Sequence, residues 1–267
     1  MCPESSLEPI VREEKDGFFV DTDLRCASCV PIREGVPDIV SERLMTAEGW
    51  DLWQRHLEGF QARRMARADA PDSIVNQFDK ADTMQQRFAA FAGIKHGKLL
   101  DVGCGPGKFR RCFPADQMTY FGIDPIPLGE SVEFPYMRAL AEHMPFKKDS
   151  LDHVAALAAL DHCQNREAFF REVARVLKPG GEFHLLQSVH DVRGPLSLLK
   201  WMAHEAKDKI EDRTTKSEHS DAPKHMNEYG RSDLLALMGE HFEIVRDELY
   251  SPSLLNPYRL FITMRPR

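Results

Sequence analysis

Between residues 97 and 188 apolar and polar positions alternate in blocks. Four short apolar runs, 98–102, 119–123, 151–157 and 182–186, each read as a buried strand. Between the last two, Phe169, Val173, Val176 and Leu177 share one face of a helix predicted over 165–177. Lys178-Pro179-Gly180-Gly181 then stops that helix. Strand–helix alternation at this spacing predicts an α/β fold, a parallel sheet covered by helices on both faces. After Ser232 a helix carrying Leu234, Leu235, Leu237 and Met238 precedes two more strands, 242–249 and 259–264.

The flanking segments follow other rhythms. Residues 1–41 contain Pro and Cys, with Gly17-Phe18-Phe19-Val20 reading as a strand and Gly35-Val36-Pro37 as a turn. Residues 46–92 read as helical. Trp50, Trp53, Leu57 and Phe60 fall on one face that would pack on a larger domain, while Arg55, Arg63, Arg64 and Arg67 project mostly elsewhere. Residues 190–230 are rich in Lys, Glu, Asp and His and predict an insertion or a helical lid. The chain thus divides into a small β-module, 1–41, and a main domain, 46–267. The main domain comprises a helical cap (46–92), a core (97–188), the insertion (190–230) and a C-terminal helix with strands (232–267).

Composition narrows the classes. A length of 267 residues suits one large domain with a small appendage. Hydrophobic residues at 42% and charged ones at 29% exclude wholesale disorder. The net charge of −7 gives no global positive field, which disfavours nucleic acid and anionic lipid as partners. The longest apolar run, 154–160, has seven residues, far from the ~18 that a membrane span needs. Six unevenly spaced cysteines do not suggest a disulfide framework. The expectation is a soluble, cytoplasmic protein with no membrane span.

The chemistry concentrates in Leu99-Leu100-Asp101-Val102-Gly103-Cys104-Gly105-Pro106-Gly107-Lys108. A strand runs into a turn with glycine at every second position, where the backbone can approach a ligand without a Cβ in the way. The dinucleotide pattern G-x-G-x-x-G would need its third glycine at Lys108. The phosphate loop G-x-x-x-x-G-K-[ST] fails in spacing, and Phe109 stands where it needs a hydroxyl. Asp101 would repel a pyrophosphate but can hold a cationic amine. A second acid, Asp124, ends the strand Tyr120-Phe121-Gly122-Ile123, where a carboxylate can accept both hydroxyls of an adenosine ribose.

These stretches, with Ala141-Glu142-His143-Met144-Pro145-Phe146 and Arg175-Val176-Leu177-Lys178-Pro179-Gly180-Gly181, resemble the class I S-adenosylmethionine-dependent methyltransferases of the type 11, ubiquinone-biosynthesis-like group. The resemblance covers about residues 97–188. It implies a Rossmann-like, seven-stranded, mostly parallel sheet with S-adenosyl-L-methionine as cofactor. By the same resemblance Asp101 and the turn Gly103-Cys104-Gly105-Pro106-Gly107 would contact the methionyl end. Asp124 would bind the ribose, Pro125 with Ile123 would flank the adenine, and the Ala141 N–H would serve the ring. Leu157 would line the reacting centre. The family often places an acid before its Ala-Glu pair; this chain has Leu140 there.

Methyl transfer needs alignment, exclusion of water and, for a weak nucleophile, a base. His162, just past a strand end, is the catalytic candidate, as a neutral imidazole that accepts a phenol or hydroxyl proton; packing against the cofactor is its alternative role. His190, His204, His219, His225 and His143 read as solvated, with His225 and Tyr229 given more weight because the segment before the last helix commonly covers the pocket in this family. Cys26-Ala27-Ser28-Cys29 and the following Pro31-Ile32-Arg33-Glu34-Gly35 resemble a Trm112-like zinc ribbon, but Ser5 stands where the second pair, begun by Cys2, needs a thiol. A metal-free, degenerate module is the expectation, and no metal ligand is assigned. The leading function is methylation of an O or N atom of a small metabolite, lipid-linked intermediate or glycan precursor. An RNA methyltransferase, favoured by the arginine cluster, and a non-catalytic cofactor-fold subunit are the alternatives. Oligomeric state is not legible.

Overall fold

Every second residue of the strand Gly97–Val102 (β3) turns to the same side, so Leu100 and Val102 enter one core while Leu99 enters another. That alternation runs through the whole sheet. Met118–Ile123 (β4), Leu151–Leu157 (β6), Leu177–Val189 (β7) and Tyr258–Pro266 (β9) carry Phe121, Val154, Phe183 and Ile262 to the first core, and Tyr120, Ala155, Leu186 and Phe261 to the second. The computed structural model describes residues 32–33, 36–37, 51, 55, 83–114, 116–126, 134–189, 199, 202, 229–251 and 258–267.

The two cores are covered by different helices. Arg166–Val176 (α2) and Arg231–His241 (α3) pack on the first face through Phe169, Val173, Leu234 and Met238. Thr83–Ala92 (α1) covers the second through Phe88 and Ala92. There Phe88 lies 5.3 Å from Phe261 and 5.6 Å from Phe109 between ring centroids, pairs that each contribute about 0.5–1.5 kcal/mol beyond their buried area. The sheet on both sides of which these helices sit is the seven-stranded, mostly parallel α/β arrangement that the sequence predicts.

With Tyr136–Met137 (β5) and Phe242–Tyr250 (β8), the strand order is β5-β4-β3-β6-β7-β9-β8. β3, β4, β5, β6 and β7 are parallel; β9 runs antiparallel between β7 and β8. The chain moves outward from β3 through β4 to β5, then returns to the other side of β3 with β6. A crevice opens at the carboxyl ends of strands where the order reverses in this way, and ligands bind there.

The sequence boundaries are revised in two places. β7 is longer than the predicted 182–186, because Lys178-Pro179-Gly180-Gly181 ends α2 without interrupting the strand. Leu177 pairs with Leu151 and Glu182 with His153, so the Pro-Gly residues form an irregularity inside the strand, with Gly180 at φ +82°. The two-residue β5 has no periodicity to reveal it and was not predicted. α2 begins as expected: the Asn165 side chain accepts the Ala168 N–H at 3.0 Å, a standard N-cap.

Ile32–Arg33 (β1) and Val36–Pro37 (β2) pair antiparallel, so Val36 and Pro37, expected in a turn with Gly35, lie in a strand, and Gly35 lies outside the described residues. The predicted strand at Gly17–Val20 and the cysteines Cys2, Cys26 and Cys29 lie outside the described residues, as do the stripe Trp50, Trp53, Leu57 and Phe60, the arginines Arg63, Arg64 and Arg67, and the histidines His190, His204, His219 and His225. Among the described residues no helix is long and apolar enough to cross a membrane.

Candidate cofactor and acceptor site

At the carboxyl ends of β3, β4 and β6 lies a cavity of about 280 Å³, at the lower end of the roughly 300–1,000 Å³ typical of small-molecule sites. Its walls are mostly apolar, with Asp124, Glu142 and His162 as the ionisable side chains. The glycine turn forms one wall. Gly103 and Gly105 have φ of +72° and +50°, a region that L side chains avoid. A Cβ on Gly103 would stand 2.7 Å from the Cβ of Ala159, so the turn can pass the loop after β6 only as glycine.

Asp124 joins the two loops. Its Oδ2 accepts the Gly105 N–H at 2.9 Å and its Oδ1 accepts the Ile126 N–H at 2.8 Å. Each carboxylate oxygen has a second lone pair, so a ligand hydroxyl can be added without breaking either bond. The turn beyond it is fixed from β5 and its continuation. The Tyr136 hydroxyl lies 3.0 Å from the Asp124 carbonyl and 2.9 Å from that of Ile126, sharing its proton between them. Arg138 donates to the Pro125 carbonyl through Nε and Nη2, at 3.2 and 3.0 Å. The sequence reading missed both residues, because the strand that holds Tyr136 and ends just before Arg138 is too short to show a period.

The predicted residues separate into two groups. Gly103, Gly105, Asp124, Pro125, Ala141 and Leu157 line the cavity, as does His162. Asp101, Cys104 and Gly107 do not. Strand alternation turns Asp101 to the α1 face of the sheet, where Tyr120 donates its hydroxyl to Oδ2 while the buried Oδ1 has no hydrogen-bond partner. Burial pushes the Asp101 carboxyl up to about 7, against the opposing hydrogen bond from Tyr120. The Cys104 Sγ is also buried, and a Cβ on Gly122 would come within 2.7 Å of it. Gly107, at φ +76°, precedes the 3₁₀ turn Lys108–Cys112, and a Cβ there would overlap the Phe134 ring. Its glycine admits an aromatic packing partner, not the cavity's occupant.

Leu140, at the position where the resembled family often has an acid, is buried on the cavity wall. The neighbouring Glu142 also reaches the wall, but its Oε1 accepts the N–H groups of Gln164 and Asn165 at 2.9 and 3.2 Å. Burial raises its carboxyl above the usual range despite those bonds. Glu142 therefore stitches the adjoining loop to the start of α2, a role spanning 23 residues that no local pattern shows.

Around the end of β6 the backbone is strained. Ala158 has φ +53° and donates its N–H to the Leu186 carbonyl at 2.7 Å. Such a conformation in a residue with a Cβ costs on the order of 1–3 kcal/mol and persists where the surroundings over-determine it. The 3₁₀ turn Leu160–His162 follows, and places the partly exposed His162 on the cavity with its Nε2 4.0 Å from the buried Asp161 Oδ1. Tyr229, weighted as a pocket residue by the sequence reading, is instead buried in the first core, where burial raises its phenol to about 12. His143 lies outside the cavity lining.

Residues 100–185 match the family model described as a methyltransferase domain. The chain is 34% identical over 121 residues to the sterol 24-C-methyltransferase ERG6B of Gibberella zeae, a match covering 40% of this chain and 32% of that one. It is 27% identical over 200 residues to the sterol 24-C-methyltransferase erg6 of Schizosaccharomyces pombe, covering 57% and 52%. The chain thus spans about a third to a half of the length of these curated relatives. Among solved structures, the Burkholderia thailandensis 1,6-didemethyltoxoflavin-N1-methyltransferase with bound S-adenosylhomocysteine superposes with a TM-score of 0.56 at 16% identity, over 86% of this chain and 94% of that one.

Proposed function

We propose that this chain is an S-adenosylmethionine-dependent methyltransferase that modifies an O or N atom of a small metabolite, lipid-linked intermediate or glycan precursor. The observation that carries the reading is the joining of the Gly103–Gly105 turn to the strand-end carboxylate of Asp124, at the reversal of strand order. The match over residues 100–185 supports it. The residues fit the cofactor: the glycine wall has no room for a Cβ at Gly103, and the Asp124 carboxylate stands on the cavity wall. Asp124 would hold the ribose hydroxyls, while Asp101, which does not line the cavity, would favour the cationic amine through its charge alone. Pro125 with Ile123 would flank the adenine, and the Ala141 N–H would serve its ring.

Bound S-adenosylmethionine supplies a methyl group already joined to its leaving group. The chain's own task is then to align, to exclude water and to move a proton. Leu157 and Ile126 on the apolar wall keep water from the reacting centre. His162 would take the acceptor's proton on a ring nitrogen, and the carboxylate of Asp161, 4.0 Å from Nε2, would stabilise the resulting imidazolium. The hairpin β1–β2, following Cys26 and Cys29, supports the Trm112-like reading of residues 1–41.

Calorimetric titration with S-adenosylmethionine and separately with S-adenosylhomocysteine tests the reading. Micromolar binding of both is expected; a folded chain that binds neither is not a methyltransferase. His162→Ala is expected to lower S-adenosylhomocysteine release on an acceptor by about 10²–10⁴-fold with unchanged cofactor affinity. Intact release at all pH values would leave His162 as packing.

A further inference from the structure

Away from the cavity, toward the amino-terminal half of the sheet, three metal-ligating side chains meet on the α1 face. His153 of β6 is the register partner of Glu182 of β7, and His184 lies two residues further along β7 on the same side. The His153 Nδ1 is 3.2 Å from the His184 Nε2, which is 3.9 Å from the Glu182 Oε2. The three ligand atoms all lie within 4.8 Å of one another. A tetrahedral ion with bonds of about 2.0–2.1 Å sets its ligand atoms about 3.3–3.4 Å apart. Small side-chain shifts would therefore admit an ion between the three.

The surroundings orient each ligand. The His184 Nδ1 is 3.1 Å from the Thr263 hydroxyl on β9; when Nδ1–H donates there, the Nε2 lone pair is turned toward His153 and Glu182, the arrangement of a metal-bound histidine with its outer partner. Glu182 gives its other oxygen, Oε1, to Arg265 at 2.8 Å, which leaves Oε2 aimed at the histidines. Burial holds both imidazoles below their usual range, His184 down to about 3, so both are neutral and able to coordinate at physiological pH. Asp152 adds negative potential at His153, while the Arg246 charge near His184 opposes a cation.

We propose that His153 Nδ1, His184 Nε2 and Glu182 Oε2 form a binding site for a divalent transition-metal ion of the zinc class, with water completing the tetrahedron. Two nitrogens and one oxygen favour zinc over calcium or magnesium, which prefer oxygen ligands. The ion would join β6 to β7 and, through Thr263, to β9. This site is independent of the methyltransferase reading.

The test uses the full chain carrying Cys2→Ser, Cys26→Ser and Cys29→Ser, stripped with a chelator, so that thiolates of the N-terminal module cannot supply the signal. Zinc chloride titration is expected to give one equivalent bound, and cobalt the visible absorption of a tetrahedral nitrogen–oxygen site without a thiolate charge-transfer band. His153→Gln, at a half-buried position, and Glu182→Gln should each abolish that cobalt spectrum. Thr263→Val should weaken zinc by about 10–100-fold, the scale of an outer-shell partner. Circular dichroism and cofactor titration establish that each variant is folded; if one is not, the cobalt spectrum of the parent chain and a zinc-dependent rise in its melting temperature decide. Zinc bound no more tightly by the parent than by a folded His153→Gln chain, or a six-coordinate cobalt spectrum, would overturn the site and leave a plain hydrogen bond between the histidines.

Discussion

The two ends of the sheet are built by different rules. At the amino-terminal end charges are answered by partners. Asp152 accepts the Lys98 N–H at 2.8 Å and Lys178 Nζ at 2.6 Å, Glu182 holds Arg265, and Arg175 spans Glu172 and the carbonyls of Met144 and Phe146. At the carboxyl end buried oxygens of Asp101, Gln187 and Tyr229 have no hydrogen-bond partner; positive φ occurs at both ends, at Gly103, Gly105, Gly107 and Ala158 here and at Gly93, Gly97, Asp149 and Gly180 at the other. Unmet oxygens gather where a ligand is to be held, while the opposite end contributes ion pairs that help the fold tolerate them.

The largest effect should come from crowding the carboxyl end. Gly103→Ala places a Cβ 2.7 Å from that of Ala159 at φ +72°. The left-handed backbone costs about 1–2 kcal/mol and overpacking about 1–3 kcal/mol more. Urea unfolding should show a matching loss, and cofactor titration little residual binding. A variant of unchanged stability and affinity would mean that the turn is not the rigid wall described.

Asp101→Asn probes the unmet carboxylate. The native carboxyl titrates at about 7 against about 3.9 in an unfolded chain. Because the folded-state value is raised, this group leaves stability whole below about pH 4, erodes it as pH rises toward 7, and costs nothing further above that. The shift corresponds to at most about 4 kcal/mol. Asn cannot ionise, so the ligand-free variant should gain stability at neutral pH and lose this slope. Cofactor affinity in the parent chain should rise between pH 5 and 7 as the carboxylate forms to meet a cationic amine, and should stay flat in the variant. A parent chain with no such rise would remove Asp101 from the cofactor's amine.

Asp124→Ala should weaken the cofactor by about 1.5–3 kcal/mol, the scale of hydrogen bonds to a charged group. It also releases the Gly105 and Ile126 N–H groups, so part of the loss should appear as a less ordered turn. Hydrogen exchange at Gly105 and Ile126 separates the two contributions. Unchanged binding would refute the placement of the ribose.

Legibility in the sequence followed the range of the interaction. Alternation and helical spacing are local, so β3, β4, β6, β8, β9 and α2 appeared within a residue or two of their observed ends. The strand-end acids were visible because Asp101 and Asp124 each close an apolar run. What escaped depends on partners distant in the chain. Gly107 looked like part of the ligand cradle, yet its neighbour is Phe134; Tyr136 in a strand of two residues and Arg138 just past it clamp the Asp124 turn; Glu142 bonds Gln164 and Asn165; and His153 meets His184 from 31 residues away. Tyr229 was misplaced for the converse reason, since its position before a helix says nothing of which way its ring turns.

The smallest effect belongs to the quiet end and has the opposite sign. Gly239 lies in α3 near its carboxyl end, where a Cβ would meet nothing within 4 Å and the backbone has no positive φ. Gly239→Ala should therefore stabilise the chain by about 0.5–1 kcal/mol through helix propensity alone, read as a small rise in the urea midpoint with cofactor affinity unchanged. The same chemical change, one Cβ, would then lower stability at Gly103 and raise it at Gly239. If both substitutions shifted stability in the same direction, the crowding and left-handed backbone at Gly103 would not be what sets the two positions apart. The unmet oxygens would then be what distinguishes the carboxyl end.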